Sequence, residues 1–174
     1  MEPGGTTKDD SYLGKYTIDG TAKFLVNASR GEFNKVYSPT VRANGSLLVA
    51  DAFNNRIAQV DCVDGQSQAI SCLSDEATYG FVSTALETFY PRAVYAADAG
   101  EGKEVAFVAG GNGTASTTYV KKLDLVTNEV TTVIAGVLNR PHCITVDPET
   151  LDLVVCDKGN NRVVRLGCIV SASS

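Results

Sequence analysis

Hydrophobic residues occur in short runs along this chain, and clusters of Asn, Asp, Gly and Pro separate the runs. EVAFVAG (104–110), LDLVVCD (151–157) and RVVRLG (162–167) are typical, and they are rich in β-branched residues. Such runs predict β-strands joined by tight turns. Most runs are apolar at successive positions instead of alternating, which predicts sheets that are buried on both faces.

A segment of the chain is repeated. Residues 44–57 read NGSLLVADAFNNRI and residues 150–163 read TLDLVVCDKGNNRV, so both contain the pattern L-x-V-x-D-x-x-N-N-R followed by Ile or Val. Pro39, Pro91 and Pro141 each precede an apolar stretch and lie about 50 residues apart, a period typical of repeat architectures. The middle unit keeps the proline and the strand pattern but has GNGTASTT (111–118) where the others have the Asp-to-Arg motif.

The repeat divides the chain into four segments. We predict an N-terminal lead-in with a possible outer strand (1–35), a first blade and connecting loop (36–90), a degenerate second blade (91–136) and a third, possibly truncated blade (137–174).

The Asp-to-Arg motif predicts a structural clasp at the corner between two strands. Asparagine tolerates the left-handed backbone conformation that a tight connection requires. The aspartate at the end of the preceding strand can accept backbone N–H groups or pair with the arginine five residues later. The predicted clasp residues are Asp51, Asn54, Asn55 and Arg56 in the first copy and Asp157, Asn160, Asn161 and Arg162 in the second.

The proline, the strand pattern and D-x-x-N-N-R together resemble the NHL repeat. The resemblance is good over residues 16–61 and 137–167 and extends over 91–136 in outline. It implies an all-β fold, a β-propeller of four-stranded blades, usually six around a central channel, of which about three are present. Because three blades leave unpaired sheet edges, we considered a fragment of a longer chain, two copies joined as three plus three blades, and an open arc covered by partners. The first explanation is favoured.

The resemblance also suggests residues that face the channel. In NHL-type lyases that bind zinc, a histidine directly after the first-strand proline points into the channel, and the equivalent positions here are Thr40, Arg92 and His142. His142 is the single histidine of the chain, whereas a catalytic zinc usually has three protein ligands. His142 is therefore interpreted as a channel-lining or core residue, with a metal ligand as the alternative. We predict no catalytic residue, metal or cofactor, since no G-x-S-x-G elbow or other complete catalytic set is present.

The charge of the chain argues against nucleic acid as a partner. The formal net charge is −5 and the estimated pI is about 4.8, which gives a repulsive average field toward phosphates. RNA binding by a local basic face is a second alternative, opposed by the absence of tryptophan for base stacking. The basic residues for such a face would be Lys15, Lys23, Arg30, Lys35, Arg42 and Arg92.

The sequence also bears on the location of the chain and the redox state of its cysteines. No apolar run is long enough to span a bilayer and the first residues lack the order of a secretory signal, so we expect a soluble chain, with the cytoplasm favoured over an extracellular site. The five cysteines are interpreted as buried free thiols. If strands run through Ile144 and Val155, however, Cys143 falls opposite Cys156, and a disulfide is the alternative there.

These observations favour a non-enzymatic interaction module that binds a protein or peptide through the loops of a propeller face. The alternative is part of a lyase or hydrolase whose site is completed by blades outside this sequence. Self-association of three plus three blades is a further possible partnership.

Overall fold

The computed structural model describes residues 33–60, 90–100, 102–111, 117–127 and 129–167 with their side chains. It also describes the strand backbone at 12–16, 22–27, 61–63 and 66–72. Most of the GNGTASTT segment (112–116) and the end of the third blade (168–174) lie outside these residues.

The described strands form a hairpin and three larger antiparallel sheets, each with its strands in chain order. The hairpin pairs β1 (Tyr12–Tyr16) with β2 (Ala22–Asn27). Sheet 1 contains β3 (Val36–Val41), β4 (Leu47–Asp51), β5 (Arg56–Val63) and β6 (Gln66–Cys72). Sheet 2 contains β7 (Pro91–Asp98), β8 (Glu104–Gly110), β9 (Tyr119–Asp124) and β10 (Val130–Ala135). Sheet 3 contains β11 (Pro141–Val146), β12 (Leu153–Asp157) and β13 (Arg162–Leu166).

The three sheets pack side by side, with sheet 2 in the middle. Its first strand, β7, contacts β3 on one side and β11 on the other. Because side chains alternate between the faces of a strand, Val94 and Val108 enter the core shared with sheet 1, whereas Phe107 enters the core shared with sheet 3. The prediction of sheets buried on both faces is confirmed for sheet 2, whose strand β8 is buried from Val105 to Gly110.

Each interface between sheets has its own apolar core. Leu48 and Ile57 of sheet 1 are fully buried against sheet 2. Leu153 and Val155 of sheet 3 are fully buried on the other side of sheet 2. Burial of each such side chain contributes about 1.5 to 3 kcal/mol, so the association of neighbouring sheets rests mainly on these cores.

This arrangement is that of neighbouring propeller blades, as predicted from the repeat. Sheets 1 and 2 have the expected four strands, and sheet 3 has three within the described residues. Among the described residues of the lead-in, β1 pairs with β2 in a separate hairpin, because the two segments are close in sequence and satisfy each other's backbone hydrogen bonds. The outer strand of the lead-in stays a prediction.

A disulfide joins the first two strands of sheet 3. Cys143 and Cys156 are directly opposed in the register of β11 and β12, as predicted, and their Cα atoms are 5.0 Å apart. The interpretation of the cysteines as buried free thiols is wrong for this pair, which is bonded and half-buried. Opposed cysteines on antiparallel strands have the Cα separation that a disulfide requires.

Among the residues that the structure describes, no helix has the length and hydrophobicity needed to cross a membrane.

Candidate functional site

Two equivalent β-bulges bring Arg92 and His142 out of the regular strand pairing. In sheet 2, Pro91 pairs with Gly110 and Ala93 pairs with Ala109, so Arg92 is the extra residue between them. His142 is the extra residue in sheet 3, between Pro141 and Cys143. A bulge redirects the side chain of the extra residue, and both bulges follow directly from the proline that opens the strand.

The two redirected side chains meet between the sheets. Arg92 Nη1 lies 3.0 Å from His142 Nε2. A guanidinium can only donate hydrogen bonds, so Nε2 is the acceptor and the imidazole is neutral, with its proton on Nδ1. In this arrangement neither nitrogen of His142 offers a free lone pair to a metal ion.

Thr40 does not join this pair. Thr40 is opposite Leu48 in sheet 1, and Thr145 is opposite Val154 in sheet 3. Because Leu48 and Val154 occupy the same position of the repeated motif, Thr40 corresponds to Thr145. The Thr40 hydroxyl accepts a hydrogen bond of 3.3 Å from the backbone N–H of Ala96 in the neighbouring sheet. Counting residues from the proline therefore aligns Thr40 with Arg92 and His142, but pairing across the strands does not.

Tyr37, in contrast, lies beside the Arg92–His142 pair. Tyr37 is opposite Ala50 and Cys143 is opposite Cys156, so Tyr37 corresponds to Cys143, the residue after His142. Its ring lies edge-on to the His142 ring, with the centroids 6.0 Å apart. Sequence reasoning missed Tyr37 because the bulge of β3 comes after this residue, between Tyr37 and Thr40, so Pro39 lies within the strand instead of opening it.

Aromatic and basic side chains extend the site outward from Arg92. The guanidinium carbon is 5.1 Å from the centroid of the Tyr90 ring. Tyr90 in turn contacts Phe53, with the ring centroids 5.0 Å apart, and Lys35 Nζ lies 4.6 Å from the Phe53 centroid. We call Tyr37, Tyr90, Arg92 and His142 the Arg–His cluster, and Lys35 and Phe53 its outer rim.

The electrostatic surroundings of the Arg–His cluster are positive. Burial lowers the pKa of His142, and the charges of Lys158, Arg92 and Arg140 lower it further. Burial and the neighbouring Tyr37 raise the pKa of Tyr90, although Arg92 opposes that shift. At neutral pH both side chains are therefore uncharged, and the positive charge of the cluster is that of Arg92.

Arg92 differs from other arginines of the described chain in its partners. Arg42, Arg56, Arg162 and Arg165 each pair with a carboxylate. Arg92 is bonded to a neutral imidazole, and its Nε is buried with no hydrogen-bond partner among the described residues. Its charge is not neutralised by any carboxylate of this part of the chain.

The predicted clasp residues lie at the same end of the sheets. Asp51 Oδ2 accepts hydrogen bonds from Asn54 Nδ2 at 2.8 Å and Arg56 Nε at 2.6 Å, and its Oδ1 accepts the backbone N–H of Asn34 at 2.7 Å. Asn55 adopts the left-handed conformation, with φ 52°.

The second clasp has the same geometry. Asp157 Oδ2 accepts from Asn160 Nδ2 and Arg162 Nε, both at 2.8 Å, and Oδ1 accepts the N–H of Asn139 at 2.6 Å. Asn161 is left-handed, with φ 50°. Since Asn34 and Asn139 precede the first strands of their sheets, each aspartate connects the strand corner to the segment that leads into the site.

Sheet 2 replaces the clasp with a close backbone contact. Gly110 is opposite Pro91 in sheet 2, just as Asp157 is opposite Pro141 in sheet 3. A Cβ on Gly110 would lie 2.5 Å from the carbonyl oxygen of Tyr90, so only glycine fits. The N–H of Gly111 donates to that same oxygen at 3.0 Å and holds Tyr90 in place.

Within the described residues, no group of three or more His, Cys, Asp and Glu side chains is arranged to hold a metal ion.

Comparison with known proteins bears on the fold. Residues 138–166, which include His142 and the second clasp, match the family model for the NHL repeat. No curated protein sequence matches the chain. A luciferin-regenerating enzyme is similar in structure (TM-score 0.61, 15% identity, 83% of this chain and 43% of that chain). The Dos1 propeller (TM-score 0.61, 10% identity, 90% and 42%) and virginiamycin B lyase from Staphylococcus aureus (TM-score 0.54, 14% identity, 91% and 49%) are also similar.

The chain spans less than half the length of each of these structures. At such identities the similarity concerns the fold, and their activities are their own. The repeat match and the propeller-type neighbours agree with the side-by-side sheets and the paired clasps. Residues 138–166 are therefore similar to the NHL repeat, and the described sheets have a β-propeller fold.

Proposed function

We propose that this chain is an interaction module, in which the Arg–His cluster and its outer rim bind a protein or peptide ligand. The observation that carries the proposal is the continuous row of cationic and aromatic contacts from Lys35 through Phe53 and Tyr90 to Arg92. Aromatic residues and arginine dominate the binding energy of protein interfaces, because they bury much area and keep a polar handle.

The outer rim is accessible, and hydrogen bonds hold the backbone of its turn. Phe53 is 42% exposed although it is large and apolar. It lies in a turn of 3-10 helix, Ala52–Asn54, that the clasp of Asp51 closes, and its own N–H donates to the carbonyl of Asn34 at 3.0 Å. A preordered aromatic side chain loses little conformational entropy when a ligand covers it, which favours binding.

Peptides selected from a displayed random library on the purified chain test the proposal. We expect Phe53→Ala and Tyr90→Ala to weaken the selected peptides at least about tenfold, a loss of about 1.4 kcal/mol each. Val126→Ala is the matched control: Val126 is 70% exposed, and it follows β9 at the opposite end of sheet 2. Unchanged affinity of both variants would contradict the proposal.

An enzymatic role is the rival function, and the same chain can test it. Metal-dependent turnover of a substrate that His142→Ala abolishes would favour a lyase or hydrolase. Our proposal instead expects His142→Ala to alter peptide affinity with no turnover in the wild-type chain.

A further inference from the structure

We infer that the Arg–His cluster is a receptor for a carboxylate group, with Arg92 as the principal contact and His142 as a second donor. The inference deepens the proposed function, because it names the chemical group of the ligand that the site recognises. Its test below uses small carboxylates, so it can fail or succeed independently of peptide binding.

The first argument is the uncompensated charge of Arg92. The guanidinium is half-buried, where charges are screened less than at a fully exposed surface. Its hydrogen-bond partner is the neutral His142, not an acid. A planar guanidinium matches the two oxygens of a carboxylate, and a charge-assisted pair of this kind is stronger than a neutral hydrogen bond.

The second argument is the sign of the surrounding charges. The groups that act on His142 are Arg92 of β7, Arg140 just before β11 and Lys158 of the second clasp, and all of them are cations. The nearby acids Asp51 and Asp157 each have both oxygens bonded within their own clasps. The local field is therefore positive in a chain whose net charge is −5, and it favours an anion over a metal ion.

The third argument is that His142 can add to the attraction. In the free site the imidazole accepts from Arg92, and nearby cations disfavour its protonation. A bound carboxylate would instead favour protonation of His142, since its negative charge stabilises a neighbouring imidazolium. His142 would then donate to the ligand, and Tyr37 at its ring edge would limit where the imidazole can turn.

A pH dependence follows from this exchange of partners. If the carboxylate raises the pKa of His142, protons and ligand bind cooperatively. The affinity for a carboxylate should then increase as the pH falls through the bound-state pKa, and level off below the free-state pKa. A merely structural arginine would give no such coupling.

The chain offers a direct probe, because His142 is its single histidine and gives one set of imidazole NMR signals. We would titrate the purified chain with N-acetylglycinate, N-acetylaspartate α-methylamide and the uncharged N-acetylglycinamide, at constant ionic strength. The first mimics a C-terminal carboxylate and the second an acidic side chain. We expect one or both carboxylates to saturate at about millimolar concentration and to raise the pKa of His142, with no effect of the amide.

Two substitutions give the matched comparison. Arg92→Gln should abolish the carboxylate response and raise the pKa of His142 in the free chain, because a neighbouring cation is removed. Arg165→Gln removes the same charge from β13, where Arg165 pairs with Asp147 and Asp152, and should leave both measurements as in the wild type. If Arg92→Gln fails to fold, Arg92→Lys replaces it in the comparison. This variant keeps the charge and should retain a weakened carboxylate response.

The outcomes separate the two hypotheses. The carboxylate site would be overturned if His142 showed no carboxylate-specific response, or if Arg92→Gln responded as the wild type does. Either result would leave peptide binding by the outer rim intact. A carboxylate response without any selected peptide would support the site and contradict the proposed function.

Discussion

Asp51 and Asp157 are completely buried charged residues, and their hydrogen bonds explain why they are tolerated. Each receives two side-chain donors and one backbone N–H. Burial of the Asp157 carboxylate tends to raise its pKa, but the donors from Asn139, Asn160 and Arg162 outweigh this effect and lower it. The folded state therefore stabilises the charged form of Asp157, and the second clasp depends on the ionisation of this residue.

We expect Asp157→Ala and Asp51→Ala each to destabilise the chain by roughly 1 to 3 kcal/mol, because the donors lose their acceptor. Asp98→Ala is the control, since the exposed Asp98 accepts one exposed backbone N–H, from Gly100. Urea unfolding at neutral pH measures the difference. Equal midpoints for all three variants would refute the role of the clasp.

The same clasp predicts acid sensitivity. Because the pKa of Asp157 is lowered by folding, its contribution is present above the ordinary aspartate pKa of about 3.9 and is lost as the pH falls through the lower folded value. Stability plotted against pH below about 4 should therefore fall less steeply in Asp157→Asn than in the wild type. Parallel curves would show that Asp157 does not contribute to this acid limb.

Gly110 is required because a side chain at this position would not fit. Gly110→Ala would place a methyl group 2.5 Å from the Tyr90 carbonyl oxygen and 3.0 Å from Pro91 Cα, so the lead-in to Arg92 must shift. We expect a loss of roughly 1 to 3 kcal/mol, as for other overpacked positions, and a changed His142 NMR signal. Gly167→Ala, whose nearest atom would be 3.9 Å away, should change neither measurement.

At the scale of elements, the bulges at the start of β7 and β11 determine what the sheets present. Each bulge adds one residue directly after a proline, at the level where the partner strand ends. The extra residue therefore has no partner in the pairing of the two strands. In sheet 3 the disulfide is the next rung after His142 and lies next to Asp157. It therefore fixes β11 and β12 together where both the site and the clasp begin.

We expect the double variant Cys143→Ser, Cys156→Ser to unfold at lower urea concentration than the oxidised wild type, by roughly 2 to 4 kcal/mol. The bridge closes a loop between residues 13 apart in sequence, so it restricts the unfolded chain. Peptide mapping with and without reducing agent should identify the Cys143–Cys156 bond, and reduction should abolish the difference in stability. A wild-type chain equally stable when reduced would contradict this expectation.

At the scale of the whole molecule, apolar cores hold the sheets together, and an ion pair links sheets 1 and 2. Arg42 of sheet 1 donates to Glu104 of sheet 2 at 2.8 Å and also contacts Gln59. The second oxygen of Glu104 accepts the N–H of Ala43 at 2.9 Å. The two charged side chains are only 15% and 16% exposed, so this pair is more protected from solvent than a typical surface ion pair.

Glu104→Gln should therefore destabilise the chain by roughly 1 to 2 kcal/mol, because the charge-assisted bond between the sheets is weakened. Glu129→Gln, at an exposed position before β10, is the matched control and should change little. Thermal unfolding of both variants measures this. A Glu104→Gln variant as stable as the control would mean that this ion pair does not contribute to the stability of the chain.

The strands, the repeat, the two clasps and the opposition of Cys143 and Cys156 were within reach of the sequence, because they depend on contacts between residues close along the chain. Asp51 and Arg56 are five residues apart, and hydrophobic pattern and turn residues locate both. Such local interactions are fixed by backbone geometry and residue type. The sequence by itself therefore determined the kind of blade.

Only the tertiary structure decided which first-strand residues meet. Arg92 and His142 are 50 residues apart, and their hydrogen bond requires two sheets to pack with their bulges at the same level. The shift of Pro39 into β3 puts Tyr37, not Thr40, beside them. A one-residue change of register redirects a side chain without any change in the hydrophobic pattern, so the composition of the site became visible only once the sheets were packed.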